Sequence, residues 1–432
     1  MSSTNQRIPV NTAPTGASDR RPQTLAGLLQ GRRNAYGLIR FVLASLVIVN
    51  HAFPLGGFGD DPMWEWTKGQ ESFGGLAVSG FFIVSGFLIC RSAMATDLVG
   101  FLWRRVLRIF PAFWLALFVG AAVIGPWMYA TQHGSLTGYL TRGAGGPLTY
   151  LTSNAALEMN QYGILDVFMS TPYGESVKVS VLNGPLWTLE YEWRCYLMLA
   201  ALGVFGVLHR AKFLVPIAAA ALTILAAVQT TAPELVVGLA PWLSDVQMVR
   251  LSAFFLLGSA AALYPERVPL DGRLAMGAAI AFAGTLFFRE GFRLFGVPAM
   301  AYLTLWFAYR APQRWFAFGA KNDYSYGIYV YGFLVQMTLA QLGWYRWGVI
   351  PYIILAWLGA VGCAMISWHL VEKQALKFKG WGPGRGWPWI KGMVGVRAPV
   401  KSASRAERHA GLTAPRSTPN EPSPWRRRSG LR

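Results

Sequence analysis

Charged residues are scarce in this chain. Asp, Glu, Lys and Arg together make up 14% of its 432 residues, whereas 53% are hydrophobic. A soluble protein of this length is expected to have more charge and shorter apolar runs. The composition therefore argues against an ordinary soluble enzyme or binding module, and it favours a membrane protein.

Cysteine is also rare. The three cysteines, Cys90, Cys195 and Cys363, all fall in apolar segments, and no pair has the spacing of a metal site or a redox motif. We therefore expect neither a disulfide framework nor a bound metal, and we expect the thiols to lie in the core.

Acidic residues are outnumbered by basic ones, 20 to 39, which gives a formal net charge of +19. Such an excess can indicate nucleic-acid binding. Here, however, the Lys and Arg residues cluster between apolar segments and in the two tails, as membrane orientation requires. The sequence therefore predicts a lipid bilayer as a partner and no nucleic acid.

Long apolar runs are what the chain does have. With the N-terminus in the cytoplasm, most Lys and Arg lie on the cytoplasmic side, and an even number of spans returns the C-terminus there. The predicted fold is an all-α, polytopic transmembrane helix bundle of about ten spans with both termini cytoplasmic. About 20 apolar residues are needed to cross a bilayer. By that measure the candidate spans are 36–54, 73–91, 109–130, 185–207, 213–230, 247–264, 274–288, 294–309, 325–341 and 348–371.

This layout divides the chain into three regions. Residues 1–35 are predicted to form a polar cytoplasmic tail, and residues 36–375 the transmembrane domain. Residues 376–432 are predicted to form a basic cytoplasmic tail, whose Arg, Pro, Ser and Gly content predicts disorder. A charge-poor outer loop at 131–184 either lines an acceptor site or merely connects two spans.

The first apolar run contains two ionisable residues, Arg40 and His51. Eleven residues come to about three helical turns, so both lie on one face of one helix, about 16 Å apart along its axis. Ionisable groups inside a membrane helix usually face a protein interior or a wet cavity and mark a functional path. The alternative is a packing pair that neighbouring helices satisfy.

A basic cluster precedes the third span. If this stretch is helical, Arg104 and Arg108 stack at i, i+4, and Arg105 and Arg108 at i, i+3. Guanidinium groups in such an array suit phosphate, which they bind in bidentate fashion. The cluster is equally typical of a cytoplasmic membrane anchor.

Acidic residues occur early in the fourth span. Glu190 and Arg194 are spaced i, i+4 and are predicted to pair. Glu192 has no basic partner at i±3 or i±4, so it must find one on another helix or stay protonated. Glu192 is therefore the better functional candidate.

Two further groups of residues are weaker candidates. The small residues between Gly75 and Phe87 in the second span predict close helix packing. Ser325 to Tyr329 and Ser367 to Glu372 lie near span ends, where aromatic and charged anchors are common, so we do not predict catalysis there.

Taken together, these segments resemble acyltransferase family 3, whose integral membrane enzymes acylate glycans, antibiotics and related hydroxylated molecules. Five motifs of the family match in order: Arg40 with His51-Ala52 after ten residues, Phe81 to Ile89, Arg104 to Pro111, Leu186 to Glu192, and Ser325 to Gly327. The chain lacks a histidine that many relatives have soon after the Ser-Tyr motif, which disfavours a mechanism that needs a second membrane histidine.

The resemblance implies a membrane-bound enzyme that transfers an acyl group, commonly acetyl, from acyl-CoA to a hydroxyl of a cell-surface or exported carbohydrate. Acetyl-CoA is then a substrate, no cofactor is tightly bound, and a bacterial inner membrane is the expected location. Arg105 and Arg108 would bind the donor phosphates with help from Arg104.

The resemblance also implies a catalytic role for the histidine of the first span. His51 would act as a general base or accept the acyl group itself. Glu192 would orient His51 or stabilise its cationic form if the fold brings them together, and Arg40 would balance a carboxylate or lead the donor inward. The rival function is a transporter or flippase of a glycan or lipid intermediate, since buried charges in ten spans suit that equally well.

Overall fold

A computed structural model describes residues 23–29, 33–140, 143–239, 243–288 and 291–380. These residues form helices and no strands, apart from one isolated bridge between Thr24 and Pro269. The all-α prediction is therefore confirmed. Most of the predicted tails, residues 1–22 and 381–432, lies outside the described residues.

Ten helices of at least 14 residues make up the described part of the bundle, and each overlaps one of the ten predicted spans. Short helices and turns connect them. The ten are α1 (Tyr36–Leu55), α2 (Phe73–Ala95), α3 (Leu98–Val119), α4 (Trp187–Val204), α5 (Leu214–Thr231), α6 (Val246–Leu263), α7 (Gly272–Phe287), α8 (Val297–Arg310), α9 (Ser325–Gln341) and α10 (Val349–Ser367).

Six helical stretches among the described residues are long and apolar enough to cross a membrane, which makes this an integral membrane protein. They are α1, α2, α5, α6 and two longer stretches, Leu98–His133 and Val349–Gly380, which begin with α3 and α10. α7, α8 and α9 are shorter than the other main helices, and α4 carries three charged residues near its start.

Side chains that accept hydrogen bonds from free backbone N–H groups fix where several helices begin. Ser72 accepts from the amide of Gly75 at the start of α2, over 2.9 Å. Asp97 caps α3 and Asp245 caps α6 in the same way. Two of these caps place the first turns of α2 and α3, which line a cavity described below.

Close backbone contacts hold α2 against α6. A Cβ atom added at Gly86 would lie 1.9 Å from the carbonyl oxygen of Phe255, and one at Gly258 would lie 2.1 Å from that of Ile83. Ser259 also donates a hydrogen bond to the Gly86 carbonyl over 3.1 Å. The predicted use of the small residues in this span, close packing of helices, is confirmed.

Replacing Gly86 with alanine is therefore expected to destabilise the fold. The new methyl group would overlap a backbone oxygen, and overpacking of this kind costs about 1–3 kcal/mol. A fall in the melting temperature of the detergent-solubilised protein would show it. Gly277→Ala in α7 is the control, because nothing lies within 4 Å of a Cβ there; an equal fall in both variants would contradict the contact.

Helix α1 lies between α2 and α9. On one side, the Asn50 side chain accepts a hydrogen bond from the Gly74 amide of α2 over 2.9 Å. On the other side, Gln336 of α9 donates to the carbonyl of Ile48 over 2.9 Å. These contacts fix the position of α1 along its axis relative to α2 and α9, and therefore which residues of those helices lie beside Arg40 and His51.

The predicted outer loop has a small core of its own. The buried Asn154 amide donates to the Gln161 carbonyl over 2.7 Å and accepts from two backbone amides. Tyr139, Tyr150 and Phe168 of the loop are buried as well. The loop ends at Asn183, which donates to the carbonyl of Val330 over 2.8 Å and so joins the loop to α9.

Candidate active site

An internal cavity of about 240 Å³ lies among α1, α2, α3, α4 and α9. Four of the six predicted site residues line it, namely Arg40, Arg105, Arg108 and Glu192; His51 and Arg104 do not. The remaining lining is largely apolar and aromatic. It includes Tyr196 and five further hydroxyl-bearing residues: Ser85, Thr188, Ser325, Tyr326 and Tyr329.

A carboxylate that sequence reasoning missed joins two of the arginines. Asp323, just before α9, lies 3.1 Å from Arg40 of α1 and 2.6 Å from Arg108 of α3. Ser325 also donates to it over 2.5 Å. Burial alone would raise the pKa of Asp323, but the two guanidinium groups and Ser325 lower it to about 2. Asp323 is therefore ionised at neutral pH and ties α1, α3 and α9 together.

A second acidic residue completes this network. Glu372, almost fully buried at the end of the π-helical turn Trp368–Glu372, lies 3.7 Å from Arg108. Its other oxygen accepts from Ser367 over 3.1 Å. Arg108 thus faces two carboxylates, which reduces its capacity to bind a further anion.

The three basic residues of α3 consequently differ in their surroundings. The helix predicted for this stretch is confirmed, since α3 includes Arg104, Arg105 and Arg108. Arg105 faces the cavity with its guanidinium carbon 5.9 Å from the Tyr196 ring centre, and the described residues include no ion-pair partner for it. Its Nε atom is buried without a hydrogen bond. Arg105 is therefore the cavity cation with capacity for a ligand.

Glu192 is held by hydroxyl groups. Ser85 of α2 donates to it over 3.0 Å, and Tyr196, one turn further along α4, donates to the same oxygen. The predicted pair of Glu190 and Arg194 does form, at a place that does not line the cavity. The carboxylate of Glu192 therefore faces the cavity, close to Arg105 and its partner Tyr196.

His51 lies at the opposite end of α1 from Arg40. Its ring packs edge-on against Phe333 of α9, with ring centres 5.3 Å apart, and it forms no hydrogen bond within the described chain. Phe333 also contacts Tyr173 of the outer loop, at 6.2 Å. The structure does not place Glu192 against His51, so the orienting contact expected between them is not formed.

No group of three His, Cys, Asp or Glu side chains comes together among the described residues as metal ligands would. The cavity instead offers the guanidinium of Arg105, which forms no ion pair with any described residue, together with a carboxylate and several hydroxyl groups. Such a set suits an organic substrate that carries both anionic and hydrogen-bonding groups.

The fold and the cavity define a helical integral membrane protein with a charged internal site. The family model described as an acyltransferase domain matches residues 33–369, and the chain belongs to this family, acyltransferase family 3. It is therefore an enzyme of a class that transfers acyl groups.

Two relatives cover most of the chain. Nodulation protein 10 of Rhizobium leguminosarum bv. viciae is 30% identical over 376 residues, which are 81% of this chain and 95% of the relative. The O-acetyl transferase of Shigella phage Sf6 is 24% identical over 363 residues, which are 80% of this chain and 96% of that protein. No solved structure matches the chain significantly.

Proposed function

We propose that the protein transfers an acyl group, in the first place acetyl, from acyl-CoA to a hydroxyl of a cell-surface or exported carbohydrate. Family membership and the name of the phage relative, O-acetyl transferase, support acyl transfer. The observation that carries the donor assignment is the cavity in which Arg105 has no ion-pair partner among the described residues.

The donor would enter at the arginine end of the cavity. Arg105 would bind a phosphate or another anionic part of the donor, with Arg104 on the same helix assisting. Arg108 and Arg40 would shape this entrance through Asp323, since their charges are already largely compensated. The narrow, largely apolar part of the cavity would then hold the arm that ends in the thioester.

The acceptor would approach from the other end, where His51 and Phe333 meet the outer loop at Tyr173. His51 would take the proton of the attacking hydroxyl as a general base, or it would accept the acyl group and pass it on. Both roles need an imidazole beside the reacting atoms.

The membrane arrangement that we propose has about ten spans and both termini in the cytoplasm. Lys and Arg residues then concentrate on the cytoplasmic side. The arginine end of the cavity would face the cytoplasm, where acyl-CoA is available, and His51 would lie in the outer half of a bacterial inner membrane.

The reaction itself tests this proposal. The purified protein in liposomes is given labelled acetyl-CoA and an extract of surface carbohydrate. We expect release of CoA and new O-acetyl signals in the NMR spectrum of the carbohydrate, and loss of those signals in a deletion strain. Movement of a glycan or lipid intermediate without thioester consumption would instead establish the rival function, a transporter or flippase.

Replacing Arg105 with alanine is expected to raise the KM for the acyl donor by about tenfold or more, because a charge-assisted hydrogen bond to an anion contributes about 1.5–3 kcal/mol. The KM for the acceptor should change little. Arg194→Ala is the matched control, since Arg194 is exposed, does not line the cavity and pairs with Glu190. Equal donor KM values in the two variants would assign Arg105 to membrane anchoring.

A further inference from the structure

Two buried hydroxyl groups meet in the cavity wall at the start of α4. Thr188 donates to the Pro185 carbonyl over 3.1 Å, and Tyr329 donates to the same carbonyl over 2.9 Å. The two hydroxyls also contact each other, and both residues line the cavity. Two O–H groups thus share one backbone acceptor beside an open space.

This arrangement leaves one proton available for a guest. A hydroxyl rotates freely and has one donor and two acceptor positions. If Thr188 keeps its bond to the Pro185 carbonyl, Tyr329 can turn its O–H towards an oxygen atom in the cavity and the carbonyl still has a donor. The pair can therefore provide a hydrogen bond to a ligand without leaving either hydroxyl unsatisfied.

The hydroxyl pair lies at the end of the cavity that is nearer to His51. Tyr329 and Phe333 are four residues apart on α9, about 6 Å along its axis, and Phe333 contacts the His51 ring. Tyr329 also packs against Phe81 of α2, with ring centres 5.9 Å apart.

The helix pairing of α1 with α2 supports this position. These helices run antiparallel, since Asn50 contacts Gly74 while Leu43 lies beside Gly80. Within α2, cavity-lining residues extend from Ile89 to Val78, which is about 16 Å of helix. A donor that extends from the arginines would thus bring its far end close to Tyr329.

We propose that the Tyr329 hydroxyl, supported by Thr188, binds the carbonyl oxygen of the acyl group during transfer. This inference rests on the proposed function. The acceptor oxygen bonds to the carbonyl carbon, its proton passes to His51, and the carbon–sulfur bond breaks to release CoA, which takes that proton. Negative charge builds on the carbonyl oxygen before the sulfur leaves, and hydrogen-bond donors that face it in a water-poor site stabilise it.

Two variants test the role, with a matched control. Tyr329→Phe and Thr188→Val each remove one hydroxyl and keep the shape of the side chain. Tyr352→Phe removes another buried tyrosine hydroxyl, which donates to the Gln336 carbonyl over 2.8 Å and does not line the cavity. Transfer kinetics, CoA affinity and melting temperature are measured for all three.

We expect Tyr329→Phe to lower kcat about 10²- to 10³-fold, as loss of one oxyanion donor does. Thr188→Val should lower kcat less, because Thr188 acts through Tyr329. The KM for acetyl-CoA should stay close to that of the wild type, since the contact strengthens only in the transition state. CoA itself has no acyl carbonyl, so its affinity should not change, and Tyr352→Phe should retain kcat.

The contrary results separate this inference from the proposed function. An unchanged kcat in Tyr329→Phe, with an active wild type, would overturn the carbonyl site alone. A joint loss of kcat, CoA affinity and melting temperature would overturn it too, by assigning the hydroxyls to packing of α4 on α9. A wild type that neither binds nor consumes acetyl-CoA would overturn the proposed function, and the carbonyl site with it.

Discussion

Replacing His51 with alanine is expected to abolish measurable acyl transfer while the protein still folds. General acid–base catalysis contributes about 10²- to 10⁴-fold to a rate, and an acyl carrier would be lost entirely. The cost in stability should be small, because the imidazole contacts the edge of Phe333 and forms no hydrogen bond within the described residues. The measurement is the initial rate of CoA release in the presence of acceptor.

His209→Ala is the control for this variant, since His209 is exposed at the end of a short helix and outside the cavity. Both variants should keep the melting temperature and CoA affinity of the wild type. Incubation with labelled acetyl-CoA in the absence of acceptor separates the two roles of His51, because only an acyl carrier retains the label. Full turnover in His51→Ala would remove its catalytic assignment.

The helical period was enough to predict that two ionisable residues of α1 share one face. Arg40 and His51 were expected on one face, and both indeed contact the α9 side of the bundle, Arg40 through Asp323 and His51 through Phe333. The period also predicted the Glu190–Arg194 pair. Contacts within one helix depend on spacing alone, and therefore a single sequence contains the required information.

Contacts between distant helices were not predictable in this way. Ser85 reaches Glu192 across 107 positions of sequence, and Asp323 reaches Arg108 across 215. Such pairs depend on which helices become neighbours, and no periodicity in one segment specifies that. Tyr196, at i+4 from Glu192, was a signal present in the sequence, because a tyrosine hydroxyl at that spacing can donate to a carboxylate as a basic residue can.

The charge of a residue and its position in the sequence were also poor guides to its surroundings. Arg104, Arg105 and Arg108 look alike in sequence, yet Arg108 pairs with two carboxylates, whereas Arg105 forms no ion pair within the part of the chain that the structure describes. Tyr329 was set aside as an interfacial anchor because it lies near the start of a span. It lines the cavity because α9 begins beside the network of Asp323, within the bundle.

Asp323→Asn is expected to destabilise the protein and to impair donor binding. Asparagine can still hydrogen bond, but it leaves the guanidinium groups of Arg40 and Arg108 without their shared anion. Removing one partner of a buried ion pair costs about 3–5 kcal/mol, because the remaining charge is uncompensated. The variant should therefore show a lower melting temperature and a raised KM for acyl-CoA.

The pH dependence of this effect has a definite sign. The pKa of Asp323 is lowered to about 2 in the folded protein from an ordinary value of 3.8. Its ionised form therefore stabilises the fold at neutral pH, and this contribution is lost as the pH falls through that interval. The difference in melting temperature between wild type and Asp323→Asn should be constant from about pH 5 to 8, because the carboxyl group is then ionised in both the folded and the unfolded chain. The difference should shrink below about pH 4, where the carboxyl group of the unfolded chain begins to bind a proton.

Asp271→Asn provides the matched control, since Asp271 caps α7 through two backbone amides and asparagine caps a helix equally well. It should match the wild type in stability and in donor KM. If Asp323→Asn behaved like this control, the two arginines would be compensated from elsewhere, and the entrance of the cavity would not depend on Asp323. A fall in stability with an unchanged donor KM would instead restrict Asp323 to joining α1, α3 and α9, because the arginines would then keep their positions for the donor without it.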